Sequence, residues 1–234
     1  MTYAYRLHWL PDNASLVIRL ALEEMGVAYE PVLLNRAAGA HKGAAYMRLN
    51  PAGLIPALET PDGAIFETAA ILLWLADRHG KMAPAPDDPD RGALLKYLFF
   101  TSNTLHVAAR MRFYPNQYLG EDADTHAALR THLKGEIQRH LDLLEAAYAA
   151  GDGGLGGALS IVDVYVACLC RWNMLYPMDE AKDWCQISKW PHLRAMAQRL
   201  EACDCTRSAI SAEGLGPTPF TNPVHPTPPV GSVM

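Results

Sequence analysis

The sequence predicts two units of different fold class, an α/β unit followed by an all-α unit. In the first 80 residues, short apolar strand-like segments alternate with segments of helical periodicity. A stretch with three prolines and three aspartates at residues 81–90 then has the composition of a linker. Beyond it, nearly every apolar pattern has the helical period. We therefore expect an α/β domain over residues 1–80, a linker over 81–91, an all-helical bundle over 92–214 and a proline-rich tail over 215–234.

The predicted N-terminal elements follow the order β-α-β-α-β-β-α. A strand over residues 5–9 precedes a helix over 15–25, and Gly26 is a typical stop for that helix. A second strand over 29–34 and a short helix over 42–49 come next. A helix that joins two strands of this length implies a parallel pair with a right-handed crossover. This order of elements is that of a thioredoxin-like domain.

A strand, a hairpin and a helix start complete this domain, and they form the clearest candidate for a binding site. Pro56 opens an apolar run, which suits the first residue of a strand because proline lacks a backbone N–H. Pro61-Asp62-Gly63 has the chemistry of a hairpin turn. Glu67 and Thr68 then stand where the helical run 69–79 begins. Unpartnered N–H groups at a helix start, with a hydroxyl beside them, suit a small anion such as a carboxylate.

The C-terminal unit is predicted to be helical almost throughout. Ser160 and Asp163 have the spacing of a capping box, for which a structural role is sufficient. The tail is expected to be irregular and disordered, with packing of Phe220 over a cleft as the alternative. The helices are expected over residues 91–118, 123–148, 160–176 and 191–203.

Bulk properties exclude several classes of function. The chain has 234 residues, half of them apolar, and a formal net charge of −5, so no general attraction to nucleic acid or anionic lipid is expected. No apolar stretch is long enough to span a bilayer or to resemble a signal peptide, and we expect a cytoplasmic protein. Five cysteines make a disulfide framework improbable, and the histidine and cysteine spacings match no zinc motif. No metal is therefore expected.

Residues 50–58 (NPAGLIPAL), with Glu67-Thr68 and the helix after them, resemble the N-terminal domain of cytosolic glutathione transferases, the bacterial members included. The resemblance covers the first 80 residues well and the helical remainder more loosely. It implies that Ile55 offers its backbone to the cysteinyl part of glutathione, before a cis bond to Pro56. It also implies that Glu67 and Thr68 hold the γ-glutamyl end.

Glutathione chemistry requires a thiolate, and the resemblance places the activating group near residues 10–16. A free thiol has a pKa of roughly 8.5, so lowering it by two units needs roughly 2.7 kcal/mol of preferential thiolate binding. Ala14 stands where related bacterial enzymes carry cysteine, and it offers no group. Ser15 can donate a hydroxyl or act as an N-cap, and Asn13 can donate an amide or form a turn. The sequence favours Ser15 narrowly over Asn13.

The resemblance implies further binding residues, for each of which packing or exposure is the plain alternative. Basic residues before the second helix suit the glycyl carboxylate of glutathione. Phe99 replaces an aligned asparagine and makes the second-substrate pocket more apolar. The candidates for glutathione are His41, Lys42, Leu54, Ile55, Pro56, Glu67 and Thr68, and those for the second substrate are Ser102, Asn103, His106 and Arg110.

The function implied is that of a glutathione transferase. It would add glutathione, as co-substrate and without another cofactor, to an apolar electrophile, or use it in peroxide reduction. A glutathione-binding protein with little turnover is one alternative, which the alanine at position 14 favours. A glutathione-dependent disulfide reductase or isomerase is another. The resemblance further implies a homodimer, and the sequence does not identify the electrophile.

Overall fold

The structure is a computed structural model that describes residues 4–232. Its N-terminal part contains a four-stranded sheet in the order β2-β1-β3-β4, in which β1 pairs parallel with β2 and antiparallel with β3. Leu7, at the centre of the sheet, lies opposite Pro31 on one side and Leu58 on the other. These elements confirm the α/β prediction and the parallel first pair. They are β1 (Arg6–Trp9), α1 (Ser15–Met25), β2 (Glu30–Leu33), α2 (Ala44–Met47), β3 (Ala57–Thr60), β4 (Gly63–Phe66) and α3 (Thr68–His79).

The C-terminal part is helical, as predicted. Its long central helix, α8, is buried along its whole length. The helices are α4 (Arg91–Phe100), α5 (His106–Phe113), α6 (Asn116–Leu119), α7 (Ala123–Ala150), α8 (Ile161–Leu175), α9 (Pro191–Glu201) and α10 (Asp204–Glu213).

The expected single helix over residues 91–118 is wrong. A π-helical segment, Thr101–Leu105, separates α4 from α5, and the chain leaves helical geometry at Tyr114. Pro115 explains that break, because the residue before a proline is disfavoured in the α region and proline has no N–H for the helix ladder. The prediction also missed α10, which begins three residues after α9 ends.

The two halves of the chain share one hydrophobic core, and α1 lies at their junction. This helix packs against α3 of its own half and against α8 and α10 of the other. Its apolar side chains Leu16, Leu20 and Leu22 are fully buried. The turn that leads into α1 is therefore held between the sheet and the helical half.

The tail is irregular, as predicted, but the expectation that it is disordered is wrong. Leu215 and Phe220 are fully buried, and the N–H groups of Phe220 and Thr221 each donate to the Glu201 carboxylate at 2.8 Å. Near the end of the tail, Gly231 lies against β2 and the turn before α1: a Cβ built there would come within 3.0 Å of Leu33 and 3.5 Å of Pro11. The tail thus returns from the helical half to the sheet. No helix among the described residues is long and apolar enough to cross a membrane.

Candidate functional site

The segment before β3 presents open backbone groups. The carbonyl of Leu54 is occupied, since it accepts hydrogen bonds from the Tyr46 hydroxyl at 2.5 Å and the Asn50 amide at 2.8 Å. The Ile55–Pro56 peptide is cis, as the resemblance implies. Within residues 4–232, neither the N–H nor the C=O of Ile55 has a hydrogen-bond partner. These two groups can therefore pair with an extended, peptide-like ligand.

The start of α3 is strained. Glu67 has φ 74° and ψ 118°, a conformation that residues other than glycine rarely adopt. Its carbonyl accepts the N–H of Ile71 at 3.0 Å, but its exposed carboxylate caps no backbone N–H. Such strain costs about 1–3 kcal/mol and persists chiefly at functional sites. The arrangement leaves the carboxylate in solvent and Thr68 buried beside it.

His106, one of the residues predicted for the second substrate, is held against α8 by its contact with Tyr165. Nδ1 of His106 lies 2.7 Å from the Tyr165 hydroxyl. Burial raises the pKa of Tyr165, and a hydrogen bond with Thr68 opposes that rise. Burial, with a smaller effect of Arg110, lowers the pKa of His106 to about 4, so its imidazole is neutral near pH 7. His106 can therefore orient a ligand but cannot neutralise an anion.

The other predicted second-substrate residues make contacts elsewhere. The Ser102 hydroxyl donates to the side chain of its neighbour Asn103 on the π-helical segment. Arg110 reaches α6, where it donates to the Tyr118 hydroxyl at 2.8 Å and to Gln117 at 2.9 Å. Among the described contacts, none joins these three residues to Glu67 or Thr68. Among the described hydrogen bonds of this set, only that of His106 reaches α8.

The predicted basic pair lies beside the loop that leads to Ile55. Lys42 is exposed, and its Nζ is 3.4 Å from the carbonyl of Ala52. Gly53 has φ +60°, and a Cβ there would meet Lys42 Nζ at 2.8 Å and the carbonyl of His41 at 3.1 Å. The positive φ and the short contacts of a Cβ both favour glycine at position 53. Because glycine has no side chain, Lys42 can approach the backbone there. Burial, with the nearby charges of Arg36 and Lys42, lowers the pKa of His41.

The turn before α1 holds the candidates for thiol activation. The Ser15 hydroxyl is fully buried; it donates to the carbonyl of Leu10 and accepts the N–H of Leu10, both at 3.1 Å. It closes the turn from β1 rather than capping α1, which has no side-chain cap. With its proton directed to Leu10, the hydroxyl is badly placed to donate to sulfur. Asn13 is half-buried on the same turn, and its carbonyl accepts the N–H of Leu16 at 2.7 Å.

Sequence reasoning missed the ionic network that holds this turn. Asp12 has φ 49° and is almost fully buried. One of its oxygens accepts from Arg171 Nε at 2.8 Å and the Trp172 indole at 2.9 Å. The other accepts from a second Arg171 nitrogen at 3.1 Å and the Tyr176 hydroxyl at 2.8 Å. The remaining donors of Arg171 reach three carbonyls of the tail, those of Leu215, Pro219 and Val224.

A second buried pair extends the network to α10. The Asp12 N–H donates to one Glu213 oxygen at 2.8 Å, and Arg19 donates to the other at 2.7 Å. Burial raises the pKa of Glu213 to about 7, although Arg19 opposes this. The sequence signal for such a network is a charged residue surrounded by apolar neighbours within a helix, as Arg19 is in residues 16–22 and Arg171 in residues 164–172.

The family models match both halves of the chain. The model described as "Glutathione S-transferase, N-terminal domain" matches residues 4–77, and that described as "Glutathione S-transferase, C-terminal domain" matches residues 127–195. The chain is 28% identical over 219 residues to glutathione S-transferase GST-4.5 of Xanthomonas campestris pv. campestris, which covers 90% of this chain and 99% of that one. It is 30% identical over 160 residues to glutathione S-transferase 2 of Schizosaccharomyces pombe, with 66% and 67% covered.

Solved structures share the same architecture. A sphingomonad glutathione S-transferase in complex with glutathione superimposes with a TM-score of 0.71 at 28% identity, over 90% of this chain and 100% of that one. A glutathione transferase from Methylococcus capsulatus gives a TM-score of 0.72 at 27% identity, over 90% and 98%. The two-domain fold therefore has counterparts among solved structures.

Proposed function

Because this chain belongs to the glutathione S-transferase family, we propose that it binds glutathione and activates it as a thiolate for addition to an apolar electrophile or for peroxide reduction. The strained Glu67 next to the open backbone of Ile55 is the observation that carries this proposal. A tripeptide with an ammonium group at one end and a carboxylate at the other has the right chemistry for these groups.

The proposed orientation follows from charge and hydrogen-bonding capacity. Glu67 receives the γ-glutamyl ammonium, and the α-carboxylate lies at the uncapped N–H groups and the hydroxyl of Thr68. The cysteinyl backbone pairs with the N–H and C=O of Ile55. The glycyl carboxylate lies toward Lys42 and His41, where the exposed ammonium supplies the charge.

A calorimetric titration with glutathione tests this orientation. Glu67→Ala combined with Thr68→Ala should weaken binding at least tenfold, because two charge-assisted hydrogen bonds are each worth roughly 1.5–3 kcal/mol. Asp62→Ala is the matched control, since it removes an exposed carboxylate from the hairpin that precedes this site. Equal affinities of the double variant and the control, with circular dichroism unchanged, would contradict the placement.

For thiol activation we propose the Asn13 amide together with the uncapped first turn of α1. The buried and occupied hydroxyl of Ser15 supports this change from the residue that the sequence favoured. An amide N–H donated to sulfur stabilises the thiolate, and the positive end of the helix dipole adds to it.

Ultraviolet absorbance of the bound thiolate, titrated against pH, tests the assignment. Asn13→Ala should raise the pKa of bound glutathione by about one unit, because the thiolate loses roughly one charge-assisted hydrogen bond. Ser15→Ala is the comparison, and we expect it to leave that pKa nearly unchanged. The opposite pattern would return the role to Ser15, and equal pKa values in all three proteins would assign activation to the backbone N–H groups alone.

A second candidate function has its own support. Ala14 offers no group and Ser15 is occupied, so the chain has fewer means of activating a thiol than an enzyme with cysteine at that turn. This favours a glutathione-binding protein with poor turnover. Steady-state assays with a chlorinated aromatic, an organic peroxide and a small disulfide distinguish transferase, peroxidase and disulfide reductase activity. Tight glutathione binding with no turnover in all three would establish the binding protein.

We also propose a homodimer, which the resemblance implies. The exposed apolar side chains Phe99 and Val107, on α4 and α5, support it. Sedimentation should give about twice the 25.7 kDa of the chain at micromolar concentration. A species of chain mass would contradict the proposal. The cytoplasmic location stays a prediction.

A further inference from the structure

Two cysteines and a glutamate converge on one point away from the candidate glutathione site. Glu24 belongs to the last turn of α1, Cys203 precedes α10, and Cys205 lies in the first turn of α10. Their carboxylate oxygen and two sulfur atoms lie within 4.8 Å of one another. We propose that these three side chains bind a divalent cation that prefers sulfur ligands, and that this cation is Zn²⁺ or one of similar chemistry.

The donor set suits this kind of cation. Zinc takes thiolates and carboxylates in tetrahedral sites, with Zn–S near ~2.3 Å and Zn–O near ~2.0–2.2 Å. Those lengths place ligand atoms about 3.5–3.8 Å apart, so the present separations require side-chain movements of only about 1 Å. Harder cations such as Mg²⁺ prefer sites made of oxygen alone.

The surroundings leave one coordination position open. Cys205 is buried, whereas Cys203 is partly exposed and Glu24 borders solvent. Three protein ligands and a water complete a tetrahedron. The nearby Arg207 donates hydrogen bonds to Asp204 and to the carbonyl of Ala202.

The cation would join the two halves of the chain. Glu24 comes from the thioredoxin-like half, and both cysteines come from the helical half. Since α1 and α10 already pack against each other, the metal adds a cross-link at an existing contact. A ligand that binds only the folded chain raises its thermal stability, so bound metal should increase the melting temperature.

The test uses the full chain, reduced and freed of metal, titrated with Co²⁺ and then Zn²⁺. We expect one Co²⁺ per chain, with a sulfur-to-cobalt charge-transfer band and the intense d–d bands of tetrahedral cobalt, all displaced by Zn²⁺. A hundredfold excess of free Zn²⁺ over Kd should raise the melting temperature by about 5 °C. Spectra lacking the charge-transfer band would overturn the proposal.

Variants separate this site from adventitious binding. Cys203→Ser and Glu24→Gln should each weaken Co²⁺ binding at least tenfold, and Cys203→Ser should weaken the charge-transfer band. The controls are Cys185→Ser, a thiol elsewhere, and Glu121→Gln, an exposed carboxylate. Equal affinity in all four variants would overturn the proposal. A Cys203–Cys205 disulfide that mass spectrometry still detects after reduction would also overturn it, because the disulfide would exclude the metal. These measurements do not involve glutathione and remain valid if the proposed function fails.

Discussion

A serine lies at the start of both α1 and α8, but the two serines have different structural roles. Ser160 and Asp163 form a complete capping box, in which each side chain accepts an N–H from the other's backbone. Ser15 caps nothing, and the turn before α1 is held instead by Arg171 and Glu213, which are distant in sequence. The start of α8 is therefore capped by its own residues, whereas that of α1 is held by residues distant in sequence.

This difference has a consequence for ligand binding. A capping side chain occupies first-turn N–H groups that an anion would otherwise use. Neither α1 nor α3, the two helices that begin at the candidate site, has a side-chain cap, and Glu67 is strained instead. Contacts with distant residues thus hold the start of α1 without a side-chain cap, although they bury charged groups.

The largest expected effect comes from breaking the remote support of α1. Asp12→Ala leaves the buried guanidinium of Arg171 without its carboxylate, and breaking a buried pair in this way destabilises a protein by about 3–5 kcal/mol. Urea denaturation of the variant measures the loss. Asp62→Ala, an exposed aspartate in the hairpin, should change stability by less than about 0.5 kcal/mol. A loss below about 1 kcal/mol in Asp12→Ala would show that the turn is held by local contacts after all.

The same support should depend on pH through Glu213. Its folded pKa of about 7 lies above the ordinary value of 4.5, so the native state binds a proton that the unfolded state has released between these values. The stability it contributes is complete below about pH 4.5 and is lost as the pH rises through about 7. From pH 5 to pH 8, wild type should lose about 2–3 kcal/mol more than Glu213→Gln. Parallel stability curves for the two proteins would contradict this.

The capping box of α8 should contribute less to the free energy of unfolding than the buried pair before α1. Ser160→Ala removes the N-cap and is expected to cost about 1 kcal/mol, the usual value for a cap. Ser211→Ala, at an exposed position of α10, is the matched control and should be nearly neutral. If Ser160→Ala costs as much as Asp12→Ala, the distinction between local and remote support fails.

The features that the sequence predicted correctly are mainly those built from local contacts, and the features it missed are mainly those built from distant residues. The strand, hairpin and helix around residues 56–79 are encoded by turn chemistry and periodicity, and the capping box at Ser160 by four adjacent residues. These local features appeared as expected. The π-helical segment within the expected long helix was not predictable from periodicity, because its five residues are too few to reveal a different period.

Features built from distant residues could not be predicted in the same way. The pairing of Asp12 with Arg171 joins positions 159 apart in sequence, and nothing next to Asp12 indicates its partner. The order of the tail depends on that arginine as well, since its guanidinium binds three tail carbonyls. The choice of Ser15 over Asn13 rested on its hydroxyl and its expected position at the helix start, whereas the direction of the hydroxyl is set by the backbone of Leu10.

The smallest expected effect concerns the strain at the start of α3, and it has the opposite sign. Glu67→Gly should stabilise the fold by about 0.5–1 kcal/mol, because glycine tolerates a φ of 74° and the relief exceeds its entropic penalty. Asp124→Gly is the control: it replaces an exposed acidic residue in the first turn of α7, where the backbone is helical, and should destabilise by about 0.5–1 kcal/mol. Glutathione affinity should fall in Glu67→Gly alone, since the proposed partner of the γ-glutamyl ammonium is lost. Thermal denaturation and calorimetry on the two variants measure both effects. A Glu67→Gly protein that is less stable than wild type would mean that the backbone there is not strained, and the contrast between the starts of α3 and α8 would then rest on capping alone.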